Sequence, residues 1–402
     1  MIEFKPVPGV RLFIIDNQSI VYSHAAQKLF TFNTAATFLW CAFEIDPDPA
    51  AVARELEAHA GVDVAEARRR VDAALQSWKE LGLLGEGEGR AKRPAPRRRR
   101  RSKRRPASLL PAYANRKFVT QETYALLSAT VRVRYASKAQ RAFVHPILAH
   151  LAKPRARPMS TVELVADGDR HHVCQNGAIE RANLALDEIG PTVKWLVWEA
   201  ALNSHRFFLN IHAGVVSDGK NVLMLPAAPG SGKSSLTAAL SRSGLDYFSD
   251  EVVVLEEPDL SARPIPLAIC VKSTGWDLMA PFFPKLKTLK VHRRGDGKIV
   301  RYIPPPPFKL GSRRERIYPV RRIVFPKYIA GSETALTPLS RVEALNRLME
   351  ECLAIPVPLT LRRIQRLVRW IKGIDCYDLK MSTLDQAVRL VRAEAFPGGS
   401  RL

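Results

Sequence analysis

The residues best able to do chemistry lie in Leu225-Pro-Ala-Ala-Pro-Gly-Ser-Gly-Lys-Ser-Ser-Leu-Thr-Ala-Ala-Leu240. Gly230, Gly232, Lys233 and Ser234 stand at phosphate-loop spacing, with Ser231 and Ser235 beside them. Backbone N–H groups of such a loop point at phosphate oxygens, the lysine reaches the β- and γ-phosphates, and the serine hydroxyl binds Mg²⁺. The motif normally opens with glycine; here that position is Ala227. Apolar residues at 222–225 predict a strand before the loop. The alanine- and leucine-rich segment after it predicts a helix ending near Arg242-Ser243-Gly244. A chance Gly-Lys-Ser would lack that strand-to-helix setting. Asp250 and Glu251 follow closely, in Leu245-Asp-Tyr-Phe-Ser-Asp-Glu-Val-Val-Val-Leu255, and are expected to precede an apolar strand rather than to end one. Acids this near the loop suit Mg²⁺ binding and activation of an attacking hydroxyl. A helix-to-strand turn also favours Asp on its own account.

Upstream stand Asn210-Ile-His-Ala-Gly-Val-Val216 and the tight turn Ser217-Asp-Gly-Lys-Asn221. The order His-x-Gly-Val, hairpin, glycine loop, helix, acidic pair resembles the catalytic domain of HPr serine kinase/phosphorylase. It looks closer still to the HPr-kinase-related kinases found beside peptide-modification systems. The resemblance covers about residues 107–395 and is specific around 210–255. It implies an α/β fold whose nucleotide-binding core is similar to that of phosphoenolpyruvate carboxykinase, with ATP and Mg²⁺ as cofactors. Carried over by position, His212, Lys233, Asp250 and Glu251 would be catalytic. Ala227, Gly230, Ser231, Gly232, Lys233, Ser234 and Ser235 would hold the nucleotide, and Ser234, Asp250 and Glu251 the metal. The family's second acid is usually Asp, so which of Asp250 and Glu251 is the general base stays open. The chain carries no Asn-Lys-x-Asp guanine reader and no Leu-Ser-Gly-Gly-Gln transporter signature.

The elements that must position such a site begin after a separate N-terminal pattern. Segments 11–15 and 20–22 around the polar turn 16–19 predict a hairpin, and Leu29-Phe-Thr-Phe-Asn33 leads into a helix over 34–43. Asp48-Pro49 is an N-cap and first-turn pair for a second helix, and Asp63 with Glu66 opens a third. Val71, Ala74, Leu75, Trp78 and Leu81 recur at helical spacing until Gly82. A hairpin with three helices is winged-helix-like. Asn33-Thr-Ala-Ala-Thr-Phe-Leu-Trp40 and Leu81-Gly-Leu-Leu84 look like the PqqD family of peptide chaperones. That resemblance implies capture of the leader of a ribosomally made precursor peptide, added as a strand at the hairpin edge against the third helix. Trp40 and Trp78 are expected in the core.

This divides the chain into a peptide-binding domain at 1–88, a basic linker at 89–106 and an ATP-binding catalytic domain at 107–402. The linker, Ala91-Lys-Arg-Pro-Ala-Pro-Arg-Arg-Arg-Arg-Arg-Ser-Lys-Arg-Arg-Pro106, is too charged and proline-rich to bury a core and reads as a disordered tether. It contributes much of the formal net charge of +23, and weak, salt-sensitive sticking to nucleic acid is expected of it. No apolar run is long enough to span a membrane, and the N-terminus lacks a signal peptide's apolar core. Five scattered cysteines form no Cys-x-x-Cys pair and suit a reducing cytoplasm. His171-His172 would point to opposite strand faces, against a metal site. Segments 125–133 and 161–165 read as strands, and 138–151 and 192–201 as helices. Beyond 255, 317–325 reads as a strand, 341–352 and 362–374 as helices, 376–380 as a short strand and 383–393 as the last helix. The alternation suits an α/β domain around a central sheet. Lys272 is a weaker candidate for holding phosphate, because it ends a strand-like run.

The chain is thus expected to be an ATP-dependent serine/threonine kinase for a peptide or small protein captured by its N-terminal domain. Two alternatives stand: a phosphorylase or ATP-dependent activator using the same loop, and a non-catalytic module in which nucleotide gates peptide capture. Oligomeric state is open, a homo-oligomer included.

Overall fold

A computed structural model describes residues 2–85 and 104–396. The arginine-rich tether lies outside the described residues, except for its last three positions. The chain divides into two compact units.

The first unit opens with strands β1 (Val10–Ile15), β2 (Gln18–Ser23) and β3 (Lys28–Phe32), an antiparallel sheet in that order. Ile15 pairs with Gln18, so the turn is tighter than the four residues expected, and Asp16 takes φ 55° to make it. Asp and Asn tolerate that region because their short side chains bond locally. The strand β3 turns the expected hairpin into a meander. Helices α1 (Thr34–Ile45), α2 (Pro49–Ala60) and α3 (Val64–Glu80) follow, each with a side-chain N-cap. Asn33 accepts from the Ala36 N–H at 2.8 Å, Asp48 from Ala50 and Ala51 at 3.0 and 3.2 Å, and Asp63 from Glu66 at 2.7 Å. Each cap is worth about 1 kcal/mol. Val10, Val21 and Phe32 face these helices and enclose Trp40 and Trp78, whose ring centroids lie 4.9 Å apart.

The other face of the same sheet carries Ile15, Ile20 and Tyr22, each about 1% exposed. The helices Arg341–Glu350 and Leu361–Lys372 cover it. Arg341 Nη1 meets Asp16 Oδ2 at 3.1 Å, and the Tyr22 hydroxyl donates to the Leu359 carbonyl. The first unit therefore takes in Pro338–Glu350 and Ile355–Cys376, which the sequence reading left in the catalytic domain. The physical reason is plain. Ile364, Leu367, Val368 and Ile371 form an apolar stripe that must be buried, and periodicity does not say against which sheet.

The second unit holds the glycine loop. Its six-stranded sheet runs in the order Asp246–Ser249, Ala213–Ser217, Val222–Pro226, Val320–Tyr328, Asp375–Met381, Ala335–Pro338. Val222–Pro226 and Val320–Tyr328 are parallel. Leu223 and Leu225 of this sheet pack with Leu236 and Leu240 of the helix Lys233–Arg242 and with Val391 of the last helix, Leu384–Ala395. A second core joins a five-stranded sheet, Thr120–Leu126 through Ala178–Leu184, to the helices Lys138–Leu148 and Ile189–Ser204. The single strand expected over 125–133 is a hairpin that turns at Leu127 (φ 50°) and Ser128. A continuous apolar alternation hid that turn. Among the described residues no helix is long and apolar enough to cross a membrane.

Candidate functional site

The strand Val222–Pro226 is wholly buried and delivers the chain to the loop. Gly230 and Gly232 both need the left-handed region, with φ 97° and 86°. Lys233 then starts the helix, its side chain buried by the sheet, only 5% of the residue exposed. On one side, the short strand Asp246–Ser249 ends just before Asp250 and Glu251. The acids therefore close one strand as well as preceding the next, Val253–Glu256, which corrects the expectation that they follow none. Four residues are short enough for the first strand to merge with the second in a one-dimensional reading. The Ser249 hydroxyl accepts from the N–H groups of Glu251 and Val252 at 3.2 and 3.1 Å and fixes the turn that carries both acids.

His212, Gly230, Ser231, Gly232, Lys233, Ser234, Ser235, Asp250 and Glu251 all line one cavity of about 630 Å³. Ala227 does not line it; its carbonyl accepts from Lys233 Nζ at 3.1 Å. Lys272 lines the same cavity, as do Arg294 and Lys298 of the basic run 285–301, where positive groups for a triphosphate are expected from the sequence.

The charges interlock. Lys233 Nζ stands 2.6 Å from His212 Nε2, and His212 Nδ1 stands 3.1 Å from Glu351 Oε2. The network fits an imidazole protonated on Nδ1, donating to Glu351 and accepting from the lysine. Burial, then the Lys233 charge, holds His212 below its ordinary pKa. Burial also pulls Lys233 down to about 8, with Lys272 adding to the effect against Asp250, Glu351 and Glu251. Asp250 is 3% exposed. Its oxygens accept from the Tyr247 hydroxyl at 2.8 Å and the Cys270 N–H at 3.3 Å. Burial, with the Glu251 charge, pushes its pKa up to about 6 against the pull of Lys194. Glu251 goes the other way: Lys194 Nζ, 2.5 Å from Oε2, holds its carboxyl below the usual range.

Lys194 and Glu351 are the partners that the sequence reading missed. Glu351 has no signal in the sequence. Lys194 had one: a lone cation in Val193-Lys-Trp-Leu-Val-Trp198, an otherwise apolar helical run. A lysine 6% exposed on such a face needs a carboxylate.

The first unit offers a second feature. β3 forms one edge of its sheet. Beside it lies a cavity of about 200 Å³ lined by Ile20, Leu29 and Thr31 of the sheet and by Leu345, Met349 and Leu359.

Fold and site together define a mixed α/β protein with a PqqD-like domain at its N-terminus. Residues 18–84 match the family described as Coenzyme PQQ synthesis protein D (PqqD). The match spans β2 through α3 and leaves the glycine-loop unit outside it. No curated protein matches the chain. Among solved structures, "TbiB1 in Complex with the TbiA(beta) Leader Peptide" is 20% identical, over 22% of this chain and 99% of that one. Its TM-score of 0.20 is too low to carry an argument about the fold.

Proposed function

We propose that the second unit is a kinase that moves the γ-phosphoryl group of ATP to a hydroxyl of a peptide or small protein. The PqqD-like domain would hold that substrate, a ribosomally made precursor peptide. One observation carries the reading: a single cavity gathers a buried lysine on a glycine loop, a histidine that aims it, and two acids of opposite pKa behaviour.

ATP with Mg²⁺ would supply the phosphoryl group and offset its charge. Among the described residues, no group of three or more His, Cys, Asp and Glu could hold a metal alone. Ser234, Asp250 and Glu251 would therefore share the cation with phosphate oxygens, as Mg²⁺ prefers in such sites. Lys233 would meet the phosphates, with His212 keeping Nζ at the cavity wall. Lys272, Arg294 and Lys298 would add positive charge where negative charge develops. Asp250 suits proton acceptance from the hydroxyl, since a carboxyl near 6 combines ionisation at neutral pH with useful basicity. Glu251, tied to Lys194, is the poorer base and the better fixed ligand. In the first unit the edge of β3 would take an extended peptide by strand addition.

The test is incubation of the full chain with Mg-ATP and a leader-bearing precursor peptide, read by mass spectrometry. Phosphorylated peptide is expected, and about 10²-fold less or lower still with the Lys233→Ala variant. An unmodified peptide despite measurable ATP binding would leave the chain as a nucleotide-gated peptide-binding module.

A further inference from the structure

Three adjacent strands of the six-stranded sheet lead to the large cavity: Val222–Pro226, Val320–Tyr328 and Asp375–Met381. The first feeds the glycine loop. The other two end in Tyr328 and Met381, which both line the cavity. Their backbones are tied to the loop and to each other. The Tyr328 N–H donates to the Ser231 carbonyl at 3.1 Å, and the Ile329 N–H to the Met381 carbonyl at 3.0 Å. A Cβ added to Gly232 would stand 2.4 Å from Met381 Cε and 3.7 Å from Tyr328 Cβ. Leu384, at the start of the last helix, lines the same cavity with Ser382 and Thr383.

Tyr328 is the exposed aromatic residue of a strand whose middle is buried. Ile323, Val324 and Phe325 are buried, whereas Tyr328 is 54% exposed. A tyrosine at a strand end is ordinarily a surface residue. This one is anchored to the loop by its own N–H and lies at a cavity whose lysines and arginine, Lys233, Lys272, Arg294 and Lys298, come from other elements. Cationic side chains and an apolar, aromatic wall therefore meet in one cavity.

We propose that Tyr328, with Met381 and Leu384 of the same cavity wall, is the stacking platform for the purine base of the nucleotide whose phosphates the glycine loop takes. The proposal rests on the nucleotide reading given above and adds the group that holds the base. An aromatic face covers a base without reading its edges, and thioether sulfur packs well against rings. The Ser382 and Thr383 hydroxyls can each donate or accept, so they could serve the base edge or the ribose.

The experiment measures binding of two probes, ATP and inorganic tripolyphosphate, to the full chain by calorimetry. It uses the wild type, Tyr328→Ala and Tyr328→Trp. ATP should bind the wild type more tightly than tripolyphosphate. Tyr328→Ala should weaken ATP by about tenfold, the scale of losing one base–aromatic stack, and leave tripolyphosphate unchanged. Tyr328→Trp should keep the ATP affinity. An unchanged ATP affinity in Tyr328→Ala would overturn the platform and leave the phosphate-loop reading standing, as would an equal loss for both probes. Failure of the wild type to bind either probe would overturn both.

Discussion

At the scale of single residues, Lys233 and the acids carry distinct expectations. Lys233→Ala removes the cation that His212 and the Ala227 carbonyl hold at the cavity wall. It should lower phosphoryl transfer by about 10²-fold or more, the scale of losing one preorganised charge contact, in a steady-state assay with Mg-ATP. Asp250→Asn should lower kcat by about 10²-fold while Mg-ATP still binds, as expected for a general base. Glu251→Gln should instead raise the magnesium requirement. Because Lys194 is buried against Glu251, Glu251→Gln also removes that lysine's hydrogen-bonded counter-charge and leaves only Asp250, so a fall in stability should accompany the metal effect. A magnesium titration beside a denaturant melt separates the two. If Asp250→Asn only shifts the magnesium curve and Glu251→Gln abolishes kcat, the roles are reversed.

At the scale of elements, the glycine loop depends on backbone geometry at two points for different reasons. Gly230 takes φ 97° with open space where a Cβ would go, whereas Gly232 takes φ 86° against the Met381 side chain. An alanine at either costs about 1–2 kcal/mol of left-handed strain, and only Gly232→Ala also displaces Met381. Met381→Ala should therefore recover part of the Gly232→Ala loss and none of the Gly230→Ala loss. A double-mutant cycle from urea melts reads the coupling. In the first unit, Trp78→Ala should cost about 3–5 kcal/mol, since the ring is 3% exposed and packs on Trp40, Phe32 and Phe4.

At the scale of the whole molecule, removing residues 1–88 is not a clean excision of a peptide carrier. It would uncover Leu345, Leu348, Ile364, Leu367 and Ile371, which lie buried in the same unit. The truncated chain should aggregate or melt at a lower temperature, as light scattering during a thermal ramp would show. Charged substitutions on the β3 edge, which leave the core intact, are the better probe of peptide capture. They should raise KM for a leader-bearing substrate with kcat near its original value. Acid stability is a second global property. His292 is 3% exposed, and burial lowers its pKa to about 4. A histidine depressed on folding contributes stability that is complete above its unfolded pKa and lost as pH falls towards the folded value. The loss should run from about pH 6.5 to 4, at up to about 1.4 kcal/mol per unit. His292→Asn should reduce the slope of that part of a stability profile measured by urea melts at successive pH values, leaving the share of His150, which burial also lowers to about 4.

Local rules made much of this protein legible in one dimension. Side-chain caps at Asn33, Asp48 and Asp63 act within four residues, so the starts of three helices could be read directly. The setting of the glycine loop between a strand and a helix is equally local, and so is the requirement for glycine at 230 and 232. Pairings over long separations were not legible. Lys194 reaches Glu251, and Glu351 reaches His212, across gaps that no periodicity encodes. The turn at Leu127 hid inside an apolar alternation, and the four-residue strand before Asp250 ran into its neighbour. The amphipathic stripe of Leu361–Lys372 stated that the helix must be buried, but a stripe is indifferent to which apolar face receives it. Tertiary structure made that choice, because the second face of β1–β3 offered Ile15, Ile20 and Tyr22 to be covered. It likewise decided that Tyr328 and Met381 stand beside the loop: sheet order, not sequence order, sets which strand ends are neighbours.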